Sequence, residues 1–139
     1  MVPEINYWAV IVATLSTMVV GAVWYTPRVF GNAWMRLAKV EPGGNAAGPL
    51  VLTLVVSFLS AWVLAGAAYI AWQFYGGSFL WSSVATALFL WVGFTAARFV
   101  THDAFERRPA ALTVMNVAHE LVTFAVMGLI IGAWTPAGV

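Results

Sequence analysis

The sequence predicts an all-α, polytopic membrane protein: four transmembrane helices in an antiparallel bundle, with a short cytoplasmic amphipathic helix between the first and second. Three observations predict it. Of the 139 residues, 63% are hydrophobic and 8% charged, whereas a soluble domain carries about 45–50% and about 25%. Four mostly apolar runs lie at 5–25, 50–74, 79–101 and 111–134, each long enough to cross a hydrocarbon layer of roughly 30 Å as a helix. All six Lys and Arg residues fall in or beside two of the three connections, an asymmetry that sets the orientation of a multi-pass chain. The whole chain, 1–139, is therefore expected to be a single transmembrane domain.

The first span begins after Glu4, where a secretory signal needs basic residues, and ends in Trp24 and Tyr25 without a small-residue cleavage site. A retained helix is expected. Ala9, Ala13, Thr17 and Gly21 repeat every four residues along it, a small-residue seam that lets another backbone approach. Pro27 stops the helix. Arg28, Asn32, Arg36 and Lys39 then follow at spacings of four, four and three, which places them on one helical face and turns Phe30, Trp34 and Leu37 away. Such a segment lies on a leaflet, with its cations meeting anionic lipid. Gly31 counts against its helicity.

The second span offers Ser57, Ala61, Ala65 and Ala68 as its seam, and "YGGS" turns it tightly into the third. The connection "HDAFERRP" carries most of the remaining charge, and its Pro109 suits the first turn of the fourth span. There Ala111, Ala118, Ala125 and Gly132 recur at sevens, with Gly128 completing "GLIIG". These seams exceed what four helices consume internally. Self-association or docking on a larger membrane complex is therefore expected, besides the lipid bilayer as constant partner.

Both arginine-bearing connections belong on the cytoplasmic side of a bacterial inner membrane, which leaves both termini and the 75–78 turn outside. A net charge of +1 gives no field for a polyanion, which argues against nucleic acid. With no cysteine, disulfides and thiolate chemistry are excluded. "NAWMR" and "DAFER" occupy matching places after the first and third spans, as a parallel internal repeat requires.

The chemistry-bearing stretch is "NVAHELVTF", 116–124. Thr113, Asn116, Glu120 and Thr123 follow three-four-three spacing and share one face, which should point into the bundle because a charge facing lipid costs about 3 kcal/mol or more. By helical rise Glu120 lies about 15 Å from Pro109, near the bilayer centre. His119 is rotated about 100° away, toward Leu112, Met115, Val122 and Val126, and is expected at a different interface. Hydroxyl partners at similar depth are Thr14, Ser16, Thr17, Ser57 and Ser60, while Arg98 snorkels outward.

A protonatable acid inside a membrane suits a proton relay or cation site. It also suits packing, through a hydrogen bond to a neighbouring helix. The functional expectation is thus an oligomeric, channel-like or transporter-like protein in which Glu120, assisted by Asn116 and Thr123, handles a proton or cation. The alternative is an accessory or scaffolding subunit docked through the seams and the segment bearing Arg28, Trp34, Arg36 and Lys39. An enzyme is not expected. No metal or cofactor is expected either, since "HELVT" has Thr123 where a zinc-protease helix needs its second histidine, and no nucleophile elbow or phosphate loop is present. His102, Asp103, Glu106, Arg107 and Arg108 are expected to form a solvated, topology-fixing loop.

"INYWAVIVATLSTMVVGAVWYTPRVFGNAWMRL" and "FERRPAALTVMNVAHELVTFAVMGLIIGAW" resemble the opening and closing segments of a bacterial family of small four-helix membrane proteins of unknown function. The most specific part is "WYTPRVFGNAW", 24–34. The resemblance implies the four-helix fold and supplies no activity or site residue.

Overall fold

A computed structural model describes residues 2–139. The elements are α1 (Tyr7–Trp24), α2 (Gly31–Ala38), α3 (Ala47–Tyr75), α4 (Phe79–Leu90), a π-helical segment (Trp91–Ala96), α5 (Ala97–Phe105) and α6 (Ala110–Ala133). α4, the π segment and α5 form one continuous rod, so four helices are long and apolar enough to cross a membrane. They are all-α and antiparallel, with short α2 between the first two spans. Side chains on the outside are large and apolar: Trp81 is 71% exposed, Phe89 74% and Phe94 75%. Only hydrocarbon covers such a surface without penalty.

Local chemistry sets the ends. The Asn6 side chain caps α1 by accepting from the backbone N–H groups of Trp8 and Ala9 at 3.1 and 3.2 Å, which satisfies two of the orphan donors at a helix start. Its amide donates to the carbonyls of Trp134 and Thr135, so the start of α1 is level with the end of α6. Gly76 and Gly77 adopt φ of +69° and +80°, the left-handed turn that "YGGS" allows. Trp72 Nε1 closes that turn by donating to the Gly77 carbonyl at 2.9 Å.

The four spans surround one axis in the order α1, α3, α4, α6, with each packed on its two neighbours. Two of the seams expected from sequence form as read: Ala9, Ala13 and Thr17 are buried on α1, and Ser57, Ala61, Ala65 and Ala68 on α3. Thr17 Oγ1 donates to Ser57 Oγ across them at 3.0 Å. The seam on α6 differs. Ala111 is exposed and Ala118 and Ala125 only half-buried, while Gly128 and Gly132 are buried. A Cβ at Gly128 would stand 2.9 Å from Ala87 Cβ, and one at Gly132 would stand 2.9 Å from Leu80 Cα. Ser83 Oγ adds a 2.9 Å bond to the Gly128 carbonyl. Backbone approach selects residues without a side chain, so the glycine pair displaces the heptad alanines as the contact.

The largest buried cluster lies from the middle of the bundle toward one end, with Leu112 and Ala96 buried separately toward the other. Val10, Ala61, Leu64, Ala68, Ala87 and Met127 belong to the cluster, with Ala61 at the middle of α3 and Val10, Leu64, Ala68 and Ala87 on the side away from the arginine-bearing connections. Toward those connections the bundle is cleft, and the ends of its helices explain why. α3 has 29 residues, about 44 Å, whereas α1 has 18, about 27 Å, and stops short of its neighbours.

Candidate functional site

The end of α1 is built by its own sequence. Pro27 forbids continuation, and the chain reverses through bonds from Phe30 N to the Trp24 carbonyl at 3.1 Å and from Gly31 N to the Thr26 carbonyl at 2.9 Å. A Cβ at Gly31 would overlap the carbonyl oxygen of Tyr25 and the backbone of Thr26. Gly31 is therefore the residue that lets α2 start here, contrary to its expected effect on helicity. α2 carries Asn32 and Arg36 on its exposed face, with Trp34 and Leu37 half-buried behind, as its amphipathic pattern requires. Lys39 closes the helix at φ 56° and Arg28 precedes it, so neither is a member of its helical face.

Trp34 belongs to the bundle rather than to the lipid surface. Its ring meets Tyr25 edge-on at 5.4 Å, and its Nε1 donates to Asn116 Oδ1 at 3.1 Å. Asn116 is thereby committed to holding α2. Thr113 is committed too, since its hydroxyl donates to Asp103 Oδ2 at 2.6 Å. The stripe expected to act as one polar face is thus split: Thr113 and Asn116 fasten neighbouring segments, and Glu120 and Thr123 face a cleft.

That cleft, of about 650 Å³, lies between α1, α3 and α6 toward the arginine-bearing end. Thr17, Gly21 and Tyr25 line it from α1 and its last turn, Thr53, Val56, Ser57 and Ser60 from α3, and His119, Glu120, Thr123 and Met127 from α6. His119 and Glu120, expected at different interfaces, line it together, with Nδ1 3.3 Å from Oε1. Side chains 100° apart on α6 thus reach the same opening between α1 and α3. Their side chains are 14% and 29% exposed. The imidazole rests against Tyr25 at 5.0 Å and Trp24 at 5.9 Å between ring centroids, above Gly21, where an added Cβ would stand 3.8 Å from Nε2.

The end of α1 packs against His119, and Glu120 lies about 21 Å from Trp134 by helical rise. α6 runs from Ala110 to Ala133, so Glu120 stands close to the middle of that helix. The Glu120 side chain hydrogen-bonds none of the hydroxyls expected as partners. Thr17 and Ser57 bond to each other, and Thr14 and Ser16 bond back to their own helix. Three buried polar atoms near this cleft lack a hydrogen bond: Trp24 Nε1, His119 Nε2 and Thr123 Oγ1.

A second recess of about 470 Å³ lies at the same end, lined by Arg98, His102, Asp103, Glu106 and Arg108. Arg108 pairs with Glu106 and lies 3.9 Å from Asp103. The hydrogen bond that Arg108 donates to Glu106, and then the two carboxylate charges, hold the Arg108 pKa above its ordinary value. His102, Glu106, Arg107 and Arg108 are exposed, as the solvated loop expected requires, while Asp103 is 7% exposed and anchors it. Among the described residues no three His, Asp or Glu side chains converge as metal ligands.

The π-helical segment was not legible as such, and neither were the roles of Gly21, Trp24 and Tyr25. The only available signal was "WYTPRVFGNAW", whose density of aromatic, Pro and Gly residues marks a specific turn. Neither a curated protein nor a solved structure matches the chain. A family model does match it over residues 8–132, and the chain belongs to that family, described as "Protein of unknown function (DUF1761)".

Proposed function

We propose that this small membrane protein works as a carrier-like exchanger in a bacterial inner membrane, with its arginine-bearing end in the cytoplasm and Glu120 as the group that takes up and releases a proton or monovalent cation. One observation carries the reading: the His119–Glu120 pair opens on a cleft between α1, α3 and α6 that reaches down to the buried cluster at Phe124 and Met127, beyond which the bundle is packed. A site reached from one side and sealed from the other suits a carrier better than a permanently open pore. His119 supports it as a second proton-holding group within reach of the carboxylate.

The test is flux. In proteoliposomes loaded with a pH-sensitive dye, the wild-type chain is expected to dissipate an imposed pH gradient, and Glu120→Gln to abolish this without changing elution or helical content. Unchanged flux in Glu120→Gln would overturn the reading. A second reading rests on the stripe of Ala111, Ala118 and Ala125, which the internal seams leave unused and which suits another helix of a second copy or of a larger complex. It predicts a partner that co-purifies in gentle detergent regardless of Glu120→Gln.

A further inference from the structure

Building on the reading of Glu120 as a cation-exchanging acid, we infer that the cleft binds a hydrophobic organic monocation: an ammonium or phosphonium centre on an apolar body. The volume comes first. About 650 Å³ is the size of a small-molecule site, which runs from roughly 300 to 1,000 Å³, and is far more than a proton or a bare alkali ion fills.

The walls come second. Met18, Leu52, Val56, Phe124 and Met127 present apolar surface, with the two methionines able to adapt to an irregular body. Glu120 supplies a negative charge, Tyr25 and His119 are the other titratable groups on the lining, and none of the six Lys and Arg residues contributes to it. An anion is thereby disfavoured. Divalent metals want a shell of six or more oxygens, which one carboxylate and scattered hydroxyls among hydrocarbon walls do not provide. A weakly hydrated cation needs only one counter-charge and aromatic surface, and Tyr25 offers a ring on the lining.

The third observation is independent of charge. Thr123 is only 6% exposed and lines the cleft, yet its Oγ1 has no hydrogen-bond partner. A lone buried hydroxyl is costly unless something occupies the space before it. An acyl chain would leave both this oxygen and the carboxylate unmet, whereas any such cation meets the carboxylate and an ammonium that keeps an N–H can also donate to the oxygen.

The experiment uses tetraphenylphosphonium as probe, in equilibrium dialysis against the full chain purified in detergent, with neutral triphenylphosphine oxide as the uncharged control. Saturable binding of the cation is expected, with the neutral control weaker by roughly ten-fold or more, and Glu120→Gln weakening the cation by a similar factor while Glu120→Asp keeps most of it. Ser60→Phe, which fills the cleft and leaves the acid in the sequence, is expected to abolish binding. Equal binding of the neutral control, or cation binding indifferent to both Glu120→Gln and Ser60→Phe, would overturn the inference and mark the cleft as a place for acyl chains. The two proposals fail separately. If Glu120-dependent proton flux persists without saturable cation binding, only the ligand class falls; if the cation binds and no flux is seen, only the carrier falls.

Discussion

Single residues divide into those that fasten the cleft and those that line it. Gly31 is the clearest fastener, because the carbonyl of Tyr25 and the backbone of Thr26 occupy the space a Cβ needs. Gly31→Ala is expected to lower stability by about 1–3 kcal/mol, the cost of forcing an atom into a filled site, and thermal unfolding in detergent would show it as an earlier midpoint. An unchanged midpoint would mean the turn is not tight. Propensity alone misjudged this glycine, since it counts conformational cost in a helix and is blind to what approaches from outside. His119 was misplaced for a related reason. A helical wheel sorts side chains into faces, but an opening that two neighbours both reach has no signature on the wheel. Asp103 shows the same limit, its burial and its bond from Thr113 being set by a hairpin whose geometry a charged run does not announce.

At the scale of elements, α2 is the part whose role changes most between sequence and structure. Its spacing correctly marked an amphipathic helix, but the pattern is the same whether the apolar side meets lipid or protein. Trp34 decides the matter by bonding to Asn116. Asn116→Leu removes one hydrogen bond worth about 1 kcal/mol, so α2 should leave the bundle about five times more often. Tryptic cleavage after Arg36 and Lys39 in the purified protein should rise by about that factor, because cleavage follows the open population when opening is fast. Cleavage at the wild-type rate would place α2 on the detergent surface, as first expected. The ends of the spans were legible to within a few residues. α3 starts at Ala47 and α5 ends at Phe105, past the expected 50 and 101, since helices continue into polar sequence beyond the hydrocarbon that defines an apolar run. The π segment left no trace because it uses the same residues as the helix around it.

For the molecule as a whole, four apolar runs and six cations at one end were sufficient to state the architecture, because lipid permits so few ways to satisfy a backbone. What they did not determine is how evenly the bundle fills. Short α1 and long α3 leave the bundle packed at one end and cleft toward the other, a difference that arises from relative helix height and is visible only once Asn6 is seen beside Trp134. This half-sealed form is the central claim, and the absence of cysteine allows it to be probed one position at a time. Ser60→Cys in the cleft and Ser83→Cys in the α4–α6 seam are expected to behave oppositely toward a membrane-impermeant maleimide. On the proposed orientation, Ser60→Cys should label in inside-out vesicles and stay unlabelled in intact cells, while Ser83→Cys stays unlabelled in both. Labelling of Ser60→Cys from the outside, or of Ser83→Cys from either side, would contradict the account.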